Sequence, residues 1–310
     1  MKVLVIGATG AVGAPLVSQL VERGHEVVGT SRTQERAETL RPLGAEPALL
    51  DVLDREAVRR LVLETRPDAI VHQATALAEG IDFKRFAQTF AQTNRLRTEG
   101  TDNLLSAAKE AGVGRFVAQS YGGWPYARVG GPVKTEDDPL DESPPDAVQE
   151  TVEAIKHLET AVLDAGGIAL RYGSFYGAAI DPMRDAVRGR KVPIVGDGDG
   201  VWSLVHVADA AAATVLALER GESAVYNVAD DEPAPAREVL SAMAEALRAP
   251  PPRKVPAWLA KLFAGELGVI MMTQIRGASN AKAKRELGWT LRYPSWRQGF
   301  PATYGVARAA

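Results

Sequence analysis

The chain opens Met1-Lys2-Val3-Leu4-Val5-Ile6-Gly7-Ala8-Thr9-Gly10-Ala11-Val12-Gly13. Val3 to Ile6 is apolar on both faces, the pattern of a central strand in a parallel sheet. Three glycines at three-residue spacing follow, where such a strand turns sharply into a helix and a Cβ would hold the backbone away from a pyrophosphate. Ala14 to Arg23 reads as that helix, with Leu16, Val17, Leu20 and Val21 on one face; its free N–H groups suit a phosphate. Gly24 ends it, and His25 to Thr30 reads as the second strand. Strand, glycine turn, helix and strand in this order predict a dinucleotide site at Gly7, Thr9, Gly10, Ala11, Val12 and Gly13.

At the end of the second strand, where an acidic residue would take the ribose hydroxyls of NAD, stand Thr30-Ser31-Arg32. A hydroxyl and a guanidinium suit a 2′-phosphate, so the expected cofactor is NADP (NADPH) rather than NAD, with Ser31 and Arg32 holding it. Gln34 to Leu40 reads as a helix and Ala48 to Val52 as a third strand, with Asp51 and Val52 ending near the adenine. Leu53 to Glu64 reads as an amphipathic helix and Ala69 to His72 as a fourth strand. Gln73-Ala74-Thr75 should lie under the cofactor, with His72 a packed strand-end residue. Strands and helices alternating at this pace predict an α/β fold, a doubly wound parallel sheet of the Rossmann type.

Asp82 to Asn94 is polar and aromatic and precedes a helix, Thr101 to Ala111. Arg115 to Ser120 reads as the fifth strand, followed by Tyr121-Gly122-Gly123-Trp124-Pro125-Tyr126. Gly130 to Pro145 reads as a loop, Ala147 to Leu163 as a helix and Ile168 to Tyr172 as a strand. Beyond it the pattern loosens. The expected division is a dinucleotide-binding domain over residues 1–172, to which 205–230 returns, and a smaller, discontinuous substrate lobe from 173–204 and 231–310.

Composition narrows the function. The 310 residues, 46% of them hydrophobic, suffice for a full core. Thirty-six basic against 39 acidic residues, in no long like-charge block, predict no nucleic-acid or anionic-membrane partner. The absence of cysteine excludes disulfides, a thiolate nucleophile and cysteine-ligated metal, and four scattered histidines predict no metal site. A strand within two residues of the first Met leaves no room for a signal peptide, and no apolar run approaches the ~18 residues that span a bilayer. A cytoplasmic protein acting on a small molecule is expected.

The glycine turn, Gly100-Thr101-Asp102-Asn103-Leu104-Leu105, Phe116-Val117-Ala118-Gln119-Ser120, Leu170-Arg171-Tyr172-Gly173-Ser174-Phe175-Tyr176-Gly177, Val205-His206-Val207-Ala208-Asp209, Tyr226-Asn227-Val228 and Ser279 to Trp289 occur in one order along the chain. Together they resemble the extended short-chain dehydrogenase/reductase family, the NAD(P)-dependent epimerase/dehydratase group. The resemblance implies a Ser or Thr on the substrate oxygen, a Tyr that moves its proton, and a Lys four residues later that lowers the phenol pKa. Ser120 takes the first place. The helix carries no such Tyr: aligned on Glu159, the Tyr and Lys positions fall on Thr151 and Ile155; aligned on Lys156, the Tyr position falls on Val152. Tyr121, or Tyr126, with Lys156 nearby, is the expected acid, unless no proton is transferred. Tyr172 is expected at the cofactor.

Where relatives acting on nucleotide sugars carry a diphosphate-clamping Arg and an Asn, the chain has Trp202 and Ser174. Trp124, Tyr126, Ser174 and Trp202 are therefore expected to line an apolar substrate pocket, capped in part by Trp258 to Met272. The resemblance also implies a homodimer through the helices at Thr101 to Ala111 and Ala147 to Leu163. The leading expectation is an NADP-dependent oxidoreductase moving a hydride to or from a small, mainly apolar carbonyl or conjugated substrate. The alternatives are an epimerase/dehydratase-type isomerase that recycles its cofactor, and a non-catalytic NADP-binding sensor or scaffold.

Overall fold

Val3 to Ile6 lies at the centre of the protein, no residue of it more than 1% exposed. The computed structural model describes residues 1–77 and 80–305. This first strand, β1 (Lys2–Ile6), pairs in parallel with β2 (Glu26–Ser31) on one side and with β4 (Ala69–His72) on the other. With β3 (Glu46–Leu49), β5 (Arg115–Tyr121), β6 (Ile168–Tyr172) and β7 (Val225–Val228) it forms a seven-stranded parallel sheet, order β7-β6-β5-β4-β1-β2-β3. The order reverses between β1 and β4, and the crevice outside the carboxyl ends of these two strands is where such sheets bind ligands.

Alternate residues of β1 supply two cores. Val3 and Val5 pack with α1 (Gly13–Glu22) and with a second helix, Val207–Arg220, through Leu16, Leu20, Ala210 and Leu218. Leu4 and Ile6 pack on the opposite face against Val58, Val62, Leu104 and Leu158. The chain thus returns to the central sheet with the helix Val207–Arg220 and β7 after an excursion in which Ser174–Tyr176 pairs with Leu204–His206 in a separate two-stranded sheet. A further core of Tyr176, Leu240, Met243, Trp296 and Phe300 lies outside that sheet.

Two elements differ from the sequence reading. The third strand is Glu46–Leu49, not Ala48 to Val52, because it is the sheet's edge, where Pro47 is tolerated without a ladder N–H and where Leu49 is exposed. Asp82 to Asn94 contains α2 (Phe86–Arg95), which runs through a π-turn, Leu96–Gly100, into α3 (Thr101–Ala111). Its burial rests on Phe86 and Phe90, one helical turn apart and stacked at 4.2 Å, too few apolar positions to reveal the period. The helix α4 (Asp146–Asp164) lies beside α2, and α5 (Ala257–Thr273) closes on the same place through Leu267, Ile270 and Met271. Among the described residues no helix is long and apolar enough to cross a membrane.

Candidate active site

The glycine turn is held by close contact. Gly7 has φ +77°, and a Cβ there would lie 2.9 Å from the backbone of Gln73 and Ala74; at Gly13 it would run into the Gly7 carbonyl. The ends of β1 and β4 therefore meet with backbone exposed between them. Helix α1 starts with no side-chain cap and no acidic residue in its first turn, so no carboxylate opposes an anion there; Ala14 and Leu16 already donate to the Gly10 and Val12 carbonyls and Pro15 has no N–H, which leaves the Gly13 amide at the helix start. Gly7, Thr9, Gly10, Ser31, Arg32, Asp51, Val52, Gln73, Ala74 and Thr75 all line one cleft. Ala11, Val12 and Gly13 do not line it; Val12 and Gly13 are buried at the helix start. Arg36, not singled out from the sequence, stands in the same cleft and donates from Nη2 to the Thr9 carbonyl at 3.0 Å. Its signal was its place four residues after Arg32. The cradle fits a nicotinamide dinucleotide, and two guanidiniums line it.

Tyr172 is placed otherwise than expected. It is fully buried, its hydroxyl 2.6 Å from Thr214 and accepting from Gln73 Nε2 at 3.0 Å. It braces Gln73 from the core instead of lining the cleft. His72 is also packed, 3.2 Å from the Leu96 carbonyl, and burial pushes its pKa down to about 4.

The residues expected to move a proton are not brought together. Ser120 is fully buried and donates to Glu159 Oε1 at 2.6 Å, while Arg171 donates to both oxygens of that carboxylate at 2.8 and 2.7 Å. Arg171 also reaches the Tyr126 hydroxyl at 3.0 Å, and Tyr126, fully buried, donates to Asn227 Oδ1 at 2.7 Å. Ser120 and Tyr126 thus belong to a closed ionic network under the site, which corrects their assignment to substrate. Lys156 donates to the Asp141 carbonyl at 3.3 Å. Tyr121 alone of this group faces Ser174, hydroxyl to hydroxyl at 3.0 Å. Thr151 is buried and accepts from Asn94 Nδ2 at 3.1 Å, and Ile155 is fully buried. Burial raises the phenol pKa of Tyr121 and of Tyr126 and pushes that of Tyr172 up to about 12.

On the substrate side, Trp124 lines a groove with Val148, Val152, Leu267, Ile270 and Met271. Tyr121, Trp124, Phe86 and Phe90 form a continuous aromatic row, with centroid spacings of 5.9, 5.6 and 4.2 Å. Trp202 packs at the edge of this cluster and donates its indole N–H to the Met271 carbonyl at 2.9 Å. Among the described residues no group of three or more His, Asp or Glu is placed to hold a metal ion.

This sheet, with its glycine cradle and strand-end cleft, is that of a nicotinamide-dependent oxidoreductase of the short-chain dehydrogenase/reductase type. The chain belongs to the NAD dependent epimerase/dehydratase family, whose model matches residues 3–229. It is similar to a 3-diazoavenalumate denitrifying reductase from a Streptomyces species, 44% identical over 307 residues that cover 96% of this chain and 99% of the relative. Among solved structures, the Thermotoga maritima UDP-glucose 4-epimerase with UDP-glucose superposes with a TM-score of 0.80 at 22% identity, covering 98% and 97% of the two chains. The Thermus thermophilus UDP-glucose 4-epimerase complex with NAD superposes with a TM-score of 0.75 at 27% identity, covering 98% of each.

Proposed function

We propose that the protein is an NADPH-dependent reductase whose small, mainly apolar, conjugated substrate accepts hydride at an arenediazonium group and leaves as the arene and dinitrogen. The observation that carries this reading is the state of the phenols beside the cleft. The family's chemistry wants a tyrosine with a lowered pKa, whereas burial raises that of Tyr121, Tyr126 and Tyr172, and the helix offers Thr151 and Ile155 instead. Reduction of a carbonyl owes the product oxygen a proton. Reduction of an arenediazonium, Ar–N2⁺ + H⁻ → Ar–H + N2, balances without one. The 44% identical relative, named as a denitrifying reductase of a diazo compound, supports the same chemistry here.

The bound nicotinamide supplies the hydride. The chain's own part is to bind and to exclude water. The Gly7 to Gly13 turn would hold the pyrophosphate, and Arg32 with Arg36 would favour the 2′-phosphate of NADP over NAD. Tyr121, fixed by Ser174, and Trp124 form the wall on which a flat acceptor lies. The groove between α4 and α5 keeps off water that would convert a diazonium to a phenol. With the Trp202 indole N–H engaged by Met271, no diphosphate clamp is offered there. The same reading includes a homodimer through α3 and α4, which are tied by His157 and Asp102 at 2.8 Å, in a cytoplasm that supplies the coenzyme.

The test is a reaction of the purified protein with NADPH and benzenediazonium, against heat-inactivated protein. Dinitrogen released one-to-one with NADPH consumed supports the reading; NADPH oxidation without dinitrogen overturns it. A second reading, carbonyl reduction with Tyr121 as proton donor, is favoured by the Tyr121–Ser174 hydroxyl pair. It requires that Tyr121→Phe abolish turnover of a carbonyl panel.

A further inference from the structure

Arg97 is only 3% exposed, on the π-turn Leu96–Gly100 where α2 runs into α3. Such turns occur often at functional sites. Among the described residues its Nε and Nη1 have no hydrogen-bond partner. Burial lowers its pKa to about 10, so the guanidinium is charged at neutral pH. Glu159, the carboxylate whose charge it feels, is already engaged by Ser120 and by both forks of Arg171. His72, pushed down to about 4, is neutral and brings no counter-charge, and the Asn94 Oδ1 and Thr101 Oγ1 left without partners nearby in sequence are neutral too. A buried cation in this state is strongly unfavourable unless an anion compensates it.

Its surroundings place that anion. Leu96, the preceding residue, lines the dinucleotide cleft. The Arg97 Cζ lies 6.0 Å from the Phe90 ring centre, at the end of the aromatic row that runs through Phe86 and Trp124 to Tyr121. The Tyr121 phenol in turn feels the guanidinium. The free charge stands between the cleft for the coenzyme and the wall for the acceptor.

We propose that Arg97 is a substrate-binding residue that recognises an anionic oxygen, a carboxylate or a phenolate, on a conjugated acceptor lying against the half-buried Tyr121 and Trp124. This deepens the reductase reading by giving the substrate a required negative group, opposite in role to the group that accepts hydride. The guanidinium serves binding and orientation, and loses its partner when a neutral analogue is offered.

The test is calorimetric titration of the NADP⁺-loaded protein with cinnamate, 4-nitrophenolate and neutral cinnamamide. The wild-type protein is expected to bind at least one of the two anions about tenfold or more tighter than cinnamamide, as for a charge-assisted hydrogen bond. Which anion is preferred identifies the oxygen. Arg97→Met should erase that preference, leave NADP⁺ affinity unchanged and keep or raise the thermal midpoint, since it removes an uncompensated charge; Arg97→Lys should keep part of the preference. The proposal is overturned by equal binding of anion and amide in the wild type, by a preference that survives Arg97→Met, or by a parallel loss of NADP⁺ affinity, which would assign the guanidinium to the coenzyme. Failure of Arg97→Met to fold overturns it as well, because the charge would then be structural. These titrations need no turnover: an anion preference without dinitrogen release sinks the diazonium reading alone, and dinitrogen release from an anionic diazonium, 4-carboxybenzenediazonium, by Arg97→Met at the wild-type kcat/KM sinks the anion site alone.

Discussion

Ser120 gives its hydroxyl hydrogen to Glu159 at 2.6 Å, beneath the site and out of reach of solvent. The serine at the end of β5 therefore steadies the carboxylate that holds Arg171. Ser120→Ala is expected to cost ~1.5–3 kcal/mol of stability, the worth of a hydrogen bond to a charged group, with little change in kcat/KM. Glu159→Gln should cost more, on the order of 3–5 kcal/mol, because it leaves the Arg171 guanidinium buried without its counter-ion. Urea denaturation beside steady-state kinetics checks both; a collapse of kcat in Ser120→Ala with unchanged stability would return the serine to the chemistry.

Arg32 and Arg36 line the same cleft, Arg36 reaching the Thr9 carbonyl of the glycine turn. Replacing either with Ala is expected to weaken NADPH binding roughly 10- to 100-fold, the loss of one charge-assisted contact to phosphate. NADH affinity should stay level. Equal losses for both coenzymes would show that these guanidiniums do not read the 2′-phosphate.

Tyr121 is held protonated by burial, with Ser174 and Arg97 only partly offsetting it. With no phenol brought into the neutral range, kcat/KM for dinitrogen release should be flat over roughly pH 6 to 9. Tyr121→Phe should lose about tenfold at most, the equivalent of one hydrogen bond. An ionisation limb in the wild type that vanishes in the variant would contradict this.

His72 makes stability fall in acid. Its folded pKa, about 4 against an ordinary 6.5, is depressed by burial. The unfolded chain thus takes up a proton first, and stability present above pH 6.5 is lost as pH falls through 4. The full difference is on the order of 3 kcal/mol. Asp230, raised by burial to about 8, has the opposite slope, its contribution fading as pH rises from the carboxylate range. The measurement is therefore a comparison: the acid loss should be smaller in His72→Gln than in the wild type across pH 7 to 4, and an identical slope would refute the assignment.

The cradle was legible because its information is contiguous. The spacing of Gly7, Gly10 and Gly13 after an apolar strand states a backbone geometry directly, and Ser31 and Arg32 follow at the next strand end. Arg36 was missed because its role depends on which way the short helix after β2 turns over the Thr9 carbonyl. Tyr172 was misplaced for a related reason: a strand end looks alike from either face, and only the packing of the helix Val207–Arg220, with Thr214 against its hydroxyl, turns the phenol inward.

By itself the sequence determined the parallel Rossmann sheet, the family and the dinucleotide cleft, since strand burial, helix period and glycine spacing are properties of neighbouring residues. Tertiary structure alone decided which polar side chains are free. Ser120 is bound 39 residues away at Glu159, Tyr126 101 residues away at Asn227, and the Nε and Nη1 of Arg97 find no partner among the described residues. Hydrogen bonds across such separations depend on where the packed elements bring two side chains, and no local pattern encodes that.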